Sequence, residues 1–476
     1  MDTVERSEVM SRIHAYPSYR DSGFEWLNSV PEHWEERQLK QLVSYRTSNV
    51  DKKSADGESP VRLCNYTDVY YHDRIRAGDG DFMRATALPN EIERFRLQDG
   101  DVLITKDSED WRDIAVPALI EETADDFVCG YHLGILRPGP LIESSFLFRA
   151  MQCVAVNQQV QVAATGVTRY GVPNGAVGDV RIPLPPLNEQ REIAAFLDRE
   201  TERIDSLIVK KQLLIERLQE FRTALITRTV TRGLPTEAAR AAGLDPSPRL
   251  KPSGVEWLGD VPEHWDVRQL GRIGTFSKCG GGTKDDEVED GIPCVRYGDL
   301  YTWHRFSIET TRAHISEESA VRYTPIRYGD LLFAGSGETI EEIGKSAVNL
   351  IAEPVYGGGD IVLFRPTIEI NASFLGYSAD CTHAVYQKSC MGRGVTVMHI
   401  YASELKRLFL AYPPVEEQRA IAIFLDREMT RIDALRSRVN SAIERLEEYR
   451  TALITAAVTG KIDVRGEVSV IVDLAE

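Results

Sequence analysis

Gly254-Val-Glu-Trp-Leu-Gly-Asp-Val-Pro-Glu-His-Trp265 repeats, 231 residues on (23 to 254), the segment Gly23-Phe-Glu-Trp-Leu-Asn-Ser-Val-Pro-Glu-His-Trp34. The match runs on through Arg37, Gln38 and Leu39, which return as Arg268, Gln269 and Leu270. A second match opens at Pro185-Pro186 and returns as Pro413-Pro414, now with a shift of 228 residues (185 to 413). It carries Glu189-Gln190-Arg191, Phe196-Leu197-Asp198-Arg199-Glu200, Arg203-Ile204-Asp205 and Arg222-Thr-Ala-Leu-Ile-Thr227. Two collinear matches with nearly equal offsets mark a tandem duplication. Between them the halves diverge around a thin shared frame. Asp68-Val-Tyr70 aligns with Asp299-Leu-Tyr301, and Gly100-Asp-Val-Leu103 with Gly329-Asp-Leu-Leu332. Arg137-Pro138 aligns with Arg365-Pro366, and Gly166-Val-Thr168 with Gly394-Val-Thr396. The order is variable, constant, variable, constant.

The constant segments read as long helices. From Glu189 to about Arg228 there is neither proline nor glycine, and apolar residues fall at heptad spacing. One row is Leu197, Ile204, Lys211, Leu218 and Leu225; the other is Ile193, Glu200, Leu207, Leu214 and Phe221. The second copy gives Leu425, Ile432, Val439, Leu446 and Leu453, with Ile421, Glu428, Leu435, Ala442 and Tyr449. Prolines stand upstream, and Gly233 and Gly460 follow as stop signals. Matching seams predict an intramolecular antiparallel coiled coil, a rod with one domain at each end. The heads mix short strands, such as Asp101–Thr105 and Asp360–Arg365, with helical stretches near Leu141–Val156 and Asn371–Lys388. The expected fold is therefore α+β: two similar globular domains separated by two long helices.

Composition narrows the class. No uninterrupted apolar run reaches the length of a membrane span, and Met1 to Arg20 carries Asp2, Glu5 and Glu8 rather than the apolar core of a secretory signal. Seven scattered cysteines, Cys64, Cys129, Cys153, Cys279, Cys294, Cys381 and Cys390, form no CxxC pair, so a reduced cytoplasmic chain is expected. The net charge of −17 argues against wrapping DNA by charge alone and leaves room for local basic patches or a basic partner.

Two divergent heads on a stiff spacer suit a split DNA target whose half-sites keep a fixed separation. The residues also carry a resemblance. Gly-Val-Glu-Trp-Leu-Gly-x-Val-Pro-Glu-His-Trp opening a domain, and Pro-Leu-Pro-Pro-Leu-x-Glu-Gln-x-x-Ile-x-x-Phe-Leu-Asp closing it into a helix, resemble the specificity-subunit family of type I restriction-modification enzymes. The likeness covers the chain twice, from about Tyr19 to Lys461. It implies an N-terminal extension 1–22, a first target-recognition domain 23–187, a helical spacer 188–232, a linker 233–253, a second recognition domain 254–415, a second spacer 416–461 and a tail 462–476. It also implies double-stranded DNA as ligand, with two methyltransferase subunits and motor-nuclease subunits as partners. S-adenosylmethionine, ATP and Mg would then belong to those partners, and this chain would carry no cofactor.

Motifs for catalysis are not supported by the sequence. The Pro-Pro pairs lack the acid or asparagine and the aromatic that hold a flipped adenine. Gly344-Lys345-Ser346 has Thr339 where a phosphate-binding loop needs glycine, and Gly280-Gly-Gly-Thr-Lys284 reads as a flexible loop. Lys106-Asp107-Ser108-Glu109-Asp110 has no equivalent lysine in the second half, and His33 and His264 read as parts of a turn rather than metal ligands.

Candidate DNA contacts come from side chains able to read base edges or hold phosphates on loops. They are Arg62, Asn65 and Tyr66 with Arg296 and Tyr297; Lys106, Ser108 and Arg112 with Ser336; and Thr168, Arg169 and Tyr170 with Arg393, Thr396 and His399. An ordinary surface role stays open for each. Trp26, Leu27, Val30 and Trp34, with Trp257, Leu258, Val261 and Trp265, read as core or as docking onto the helices. Arg199, Arg203, Arg427 and Arg431 are candidates for partner docking or a solvated helix face. The rival functions are a self-sufficient fused endonuclease, a coiled-coil adaptor that binds only proteins, and a recognition subunit of a different phage-defence system.

Overall fold

The structure, a computed structural model, describes residues 14–23, 26–281 and 286–465. Most of the expected N-terminal extension and tail, residues Phe24 and Glu25, and Gly282, Thr283 and Lys284 of the glycine-rich loop lie outside the described residues. The chain forms two compact units, 1–211 with 441–476, and 212–440. Each unit thus combines one head with half of each constant segment.

In the first unit, strand Val102–Thr105 is the middle member of a five-stranded sheet. The order is Val43–Thr47, Leu133–Pro138, Val102–Thr105, Pro117–Glu122, Arg74–Arg76, antiparallel except for the last pair. Its residues Val-Leu-Ile-Thr are buried throughout, because the period of two serves a core on each face. Val102 and Ile104 join the core under helix Ser144–Gln152, whereas Leu103 packs toward a three-stranded sheet of Phe127–Cys129, Ser59–Cys64 and Met83–Ala87. The second unit repeats the plan with Gly274–Lys278, Ile361–Pro366, Leu331–Ala334, Ser346–Asn349 and Ser307–Ile308. Leu331 and Phe333 face one core there, Leu332 and Ala334 the other.

One pair of the surviving frame is structural. Arg137 grips Asp101 with Nε and Nη2, both at 2.7 Å, and Arg365 holds Asp330 the same way, with Nε at 2.8 Å. Asp101 and Asp330 are each 1% exposed, so the paired carboxylate pushes its arginine above the usual guanidinium range. Shared glutamines fasten head to helix. Gln190 accepts the Glu143 amide (2.9 Å) and donates to the Pro185 carbonyl, while Gln418 does the same for Asn371 and Pro413.

The first long helix spans Leu187–Arg232 and the second Val415–Val458, about 69 Å and 66 Å at 1.5 Å per residue. Gly233 and Gly460 follow them with φ of 86° and 68°, the left-handed stop that glycine accepts. In the first unit the start of the first helix packs against the end of the second, Ile204 and Ile208 sharing a core with Leu446, Tyr449 and Leu453. In the second unit Leu218 and Leu225 share a core with Leu425, Met429 and Ile432. The helices therefore pair antiparallel within the chain.

One row of each expected seam is corrected in part: Ile193 and Ile421 are buried and Tyr449 packs on the core, but the middle of the row turns outward. Leu214, Phe221 and Leu435 are 42%, 55% and 42% exposed. The inward second row is instead Thr201, Ile208, Ile215, Arg222 and Thr229, matched by Met429, Arg436, Ile443, Arg450 and Ala457. Its polar members hid it from a hydrophobic pattern. Arg222 donates to Asp433 (2.7 Å), and Arg450 to Asp205 (3.0 Å) and to Asp73. The 228-residue shift carries Asp205 onto Asp433 and Arg222 onto Arg450, so one clasp occurs twice with its ends exchanged.

Candidate nucleic-acid interface

Each constant segment begins at a buried carboxylate. Glu189, 2% exposed, accepts from Tyr16 Oη (2.6 Å), Trp34 Nε1 (3.0 Å) and His33 Nε2 (2.9 Å). Burial, then the bond to Glu189, push the Tyr16 phenol far up. Glu417 takes His264 Nε2 at 2.9 Å, but Trp265 Nε1 has no partner among the described residues. The position equivalent to Tyr16 is Ser247, which is exposed. His33 and His264 thus orient buried carboxylates, and among the described residues no group of three His, Cys, Asp or Glu could hold a metal. Leu27, Val30, Trp34, Leu258, Val261 and Trp265 are core, whereas Trp26 and Trp257 are 42% and 39% exposed, and Trp26 lines a groove with Glu447 and Thr451 of the second long helix.

Several candidates lie off the expected protruding loops. Arg62 sits in a strand, bound to both oxygens of Asp126 (2.9 and 2.7 Å) and to the Ala77 carbonyl (2.7 Å). That bond holds Arg62 above its usual range and Asp126 below. Arg296 is in a strand and paired with Glu287 (2.7 Å). Asn65 is buried, its amide donating to Asp68. Tyr66 stacks on Tyr70 with centroids 5.6 Å apart, and burial, opposed by Ser108, raises its phenol. Tyr297 is 44% exposed at the start of a short helix. Arg112 is exposed but bonded to Asp110, and Lys106 is half-buried. Sequence position gave no sign of the Arg62 pairing, because Asp126 lies 64 residues along the chain, whereas Asp68, Asp110 and Glu287 lie close to their partners.

The third group comes together. In the first unit Thr165–Gly166 and Tyr170–Gly171 form a hairpin that adds onto Asp107–Ser108, with Tyr170 opposite Ser108. In the second, Arg393–Gly394 and Met398–His399 add onto Ser336–Gly337, with His399 opposite Ser336. Thr168 and Thr396 are exposed at the tips. Gly166 and Gly394 have φ of 150° and 146°, and a Cβ on either would stand 2.0 Å from a carbonyl across the turn. Only glycine closes this hairpin.

Beneath the tips lie two unlike polar clusters. Asp107 accepts from His132 Nδ1 (2.5 Å) and from Arg169 Nε (2.9 Å). In the second unit Ser336 donates to Asp360 and takes His399 Nδ1 at 2.8 Å, while Lys278 reaches Asp360 at 3.2 Å. Burial would raise the Asp360 carboxyl, yet Ser336 and Lys278 outweigh it and hold it below the usual range. Ser336 thus joins the carboxylate and the imidazole in one polar cluster. His132 and Asp360 were missed from sequence. Both immediately precede a strand common to the two heads, and their mismatch in the repeat alignment was the available signal.

On the helices, Arg199 and Arg427 lie over Phe196 and Phe424 and bond the next glutamate. Arg203 and Arg431 are exposed. Val209, Leu213, Leu214 and Phe221 on the first helix, and Ile423 and Leu435 on the second, leave apolar surface uncovered.

Two heads of one plan, each followed in sequence by a long helix and carrying different polar groups beneath its hairpin, define a duplicated recognition protein. The family described as the type I restriction modification DNA specificity domain matches residues 31–217 and 262–445, and the chain belongs to it. It is a DNA-specificity chain of the type I class, in which catalysis lies in other subunits. The putative type I restriction enzyme MjaX specificity subunit of Methanocaldococcus jannaschii is 22% identical over 468 residues, 94% of this chain and 98% of its own. The type I restriction enzyme EcoKI specificity subunit of Escherichia coli is 22% identical over 340 residues, 70% and 68% of the two chains. The HsdS subunit from Thermoanaerobacter tengcongensis has a similar fold, with TM-score 0.51, 18% identity, and 90% and 98% of the chains covered. A chain solved in work on complex assembly and conformational transition of the type I R-M system gives TM-score 0.64 at the same identity and coverage.

Proposed function

We propose that this chain selects a bipartite DNA target, one half-site per head, and holds methyltransferase and motor-nuclease subunits on it. The observation that carries this reading is the repeat itself: hairpin, strand and frame are kept, while the polar cluster beneath each tip changes from Asp107, His132 and Arg169 to Ser336, Asp360 and His399. A protein-only adaptor gives no reason for that pattern. The exposed apolar residues of the long helices, together with the exposed Arg203, Arg427 and Arg431 on the same helices, favour docking of one methyltransferase subunit per repeat. A net charge of −17 fits a reader whose partners supply much of the phosphate attraction. No described helix is long and apolar enough to cross a membrane, and the cytoplasm, where DNA and partners meet, is the proposed place of action.

Methylation mapping in cells carrying this chain with its neighbouring methyltransferase tests the proposal. The expected result is a motif of two specified parts around a gap of fixed length. Replacing residues 23–187 with another head should alter one part only. A continuous motif, or changes in both parts, would refute it.

A further inference from the structure

The two hairpins share one feature that the divergent heads had no structural need to keep. Val167 and Val395 stand at the tips 88% and 96% exposed, each between the obligatory glycine and an exposed threonine. Neither side chain contributes to a core, and a polar residue would serve the turn equally well. That both hairpins keep this exposed valine while their flanks diverge points to something the two tips touch alike. The flanking positions do the opposite. Thr165 becomes Arg393, Arg169 becomes Val397, and Tyr170 becomes Met398.

We propose that each hairpin divides its work on DNA, resting on the reading above that the heads bind DNA at all. The Gly-Val-Thr tip presses its valine against sugar or base-edge carbon and its threonine hydroxyl on a phosphate, whatever the sequence. The cluster below decides which bases are accepted. His132 and Asp360 are thereby assigned as specificity-determining residues, alongside Arg169 and His399. Chemistry supports the split. A valine offers no hydrogen-bond code, so it cannot tell base pairs apart except by contact with a thymine methyl. The first cluster leaves the far side of the Arg169 guanidinium to donate, its side chain 55% exposed. The second offers imidazole, carboxylate and the Lys278 ammonium, its side chain 70% exposed, in place of a guanidinium. A planar guanidinium fork and a point-charge ammonium beside a hydroxyl present different donor geometries, and these select different base edges.

The test uses the assembled complex with its methyltransferase, binding assays on duplexes with and without the mapped motif, and methylation mapping. The paired substitution Val167→Ser and Val395→Ser should weaken binding by about tenfold on both kinds of duplex, the loss of about one buried apolar contact per tip, with the motif unchanged. His132→Ala should relax one position in the first half-site and leave the second intact, while His132→Gln, which keeps a donor toward Asp107, should restore part of the discrimination. Asp360→Asn should do the converse in the second half-site. Unchanged melting temperatures establish that the variants fold. Full binding by the valine variant, or an unaltered motif in both the His132 and Asp360 variants, overturns the division of labour. If the unaltered complex methylates no bipartite motif, the functional reading itself has failed, which is a different outcome.

Discussion

Glu189 and Glu417 occupy the same place in the repeat but carry unequal loads. Hydrogen bonds to a buried charge contribute about 1.5–3 kcal/mol each, and Glu189 receives three donors against the single imidazole on Glu417. Glu189→Gln is therefore expected to destabilise the chain by about 2–3 kcal/mol, and Glu417→Gln by about 1 kcal/mol, read as separate shifts in urea unfolding. Equal shifts would mean that Tyr16 and Trp34 add nothing. A sharper case is Arg137→Ala, which strands the Asp101 carboxylate in the core and should cost about 3 kcal/mol. These residues were legible as repeated, but their role was not. Repetition marked Asp101 and Arg137 as important without distinguishing a buried clasp from a ligand contact. Arg62 shows the reverse failure, since its donors are spent on Asp126 and Ala77, groups no local pattern links to it.

At the scale of elements, periodicity gave the long helices and their inward first row, because Leu197, Ile204, Leu425 and Ile432 are apolar and buried. It misplaced the middle of the second row, because the row that turns inward there is partly polar. Arg222 is buried and answers Asp433, a pairing that hydrophobic counting cannot see. The corrected seam has a direct test in the isolated chain. Leu218→Glu should lower stability by about 2–3 kcal/mol, whereas Phe221→Glu should stay within about 0.5 kcal/mol and instead weaken assembly with the methyltransferase. Thermal melting and co-purification separate the two. If Phe221→Glu unfolds the chain, the row assigned from sequence was right after all. Arg222→Asp should be repaired by Asp433→Arg, since the pair fixes register through opposite charge.

At the scale of the whole molecule, duplication made most of the architecture readable: two heads, two helices and their order. Loop pose stayed unreadable, since residues far apart in sequence, such as Asp107, His132 and Arg169, become neighbours only through the sheet. The spacer predicts its own experiment. Deleting one heptad from each long helix should change the unspecified gap in the methylated motif or abolish methylation, whereas deletions within the linker 233–253 should leave the gap alone.

The exchanged clasps have an implication for ancestry and for engineering. A single first repeat already owns both an aspartate and an arginine of the clasp, Asp205 and Arg222. A polypeptide of residues 1–253 can therefore satisfy a twin copy of itself, each arginine reaching the other copy's aspartate. Size-exclusion chromatography with light scattering should find a homodimer, and Arg222→Asp should leave it monomeric. Such a twin would carry two identical heads and so recognise an inverted palindrome, as though the present gene were a dimer written once as a single sentence.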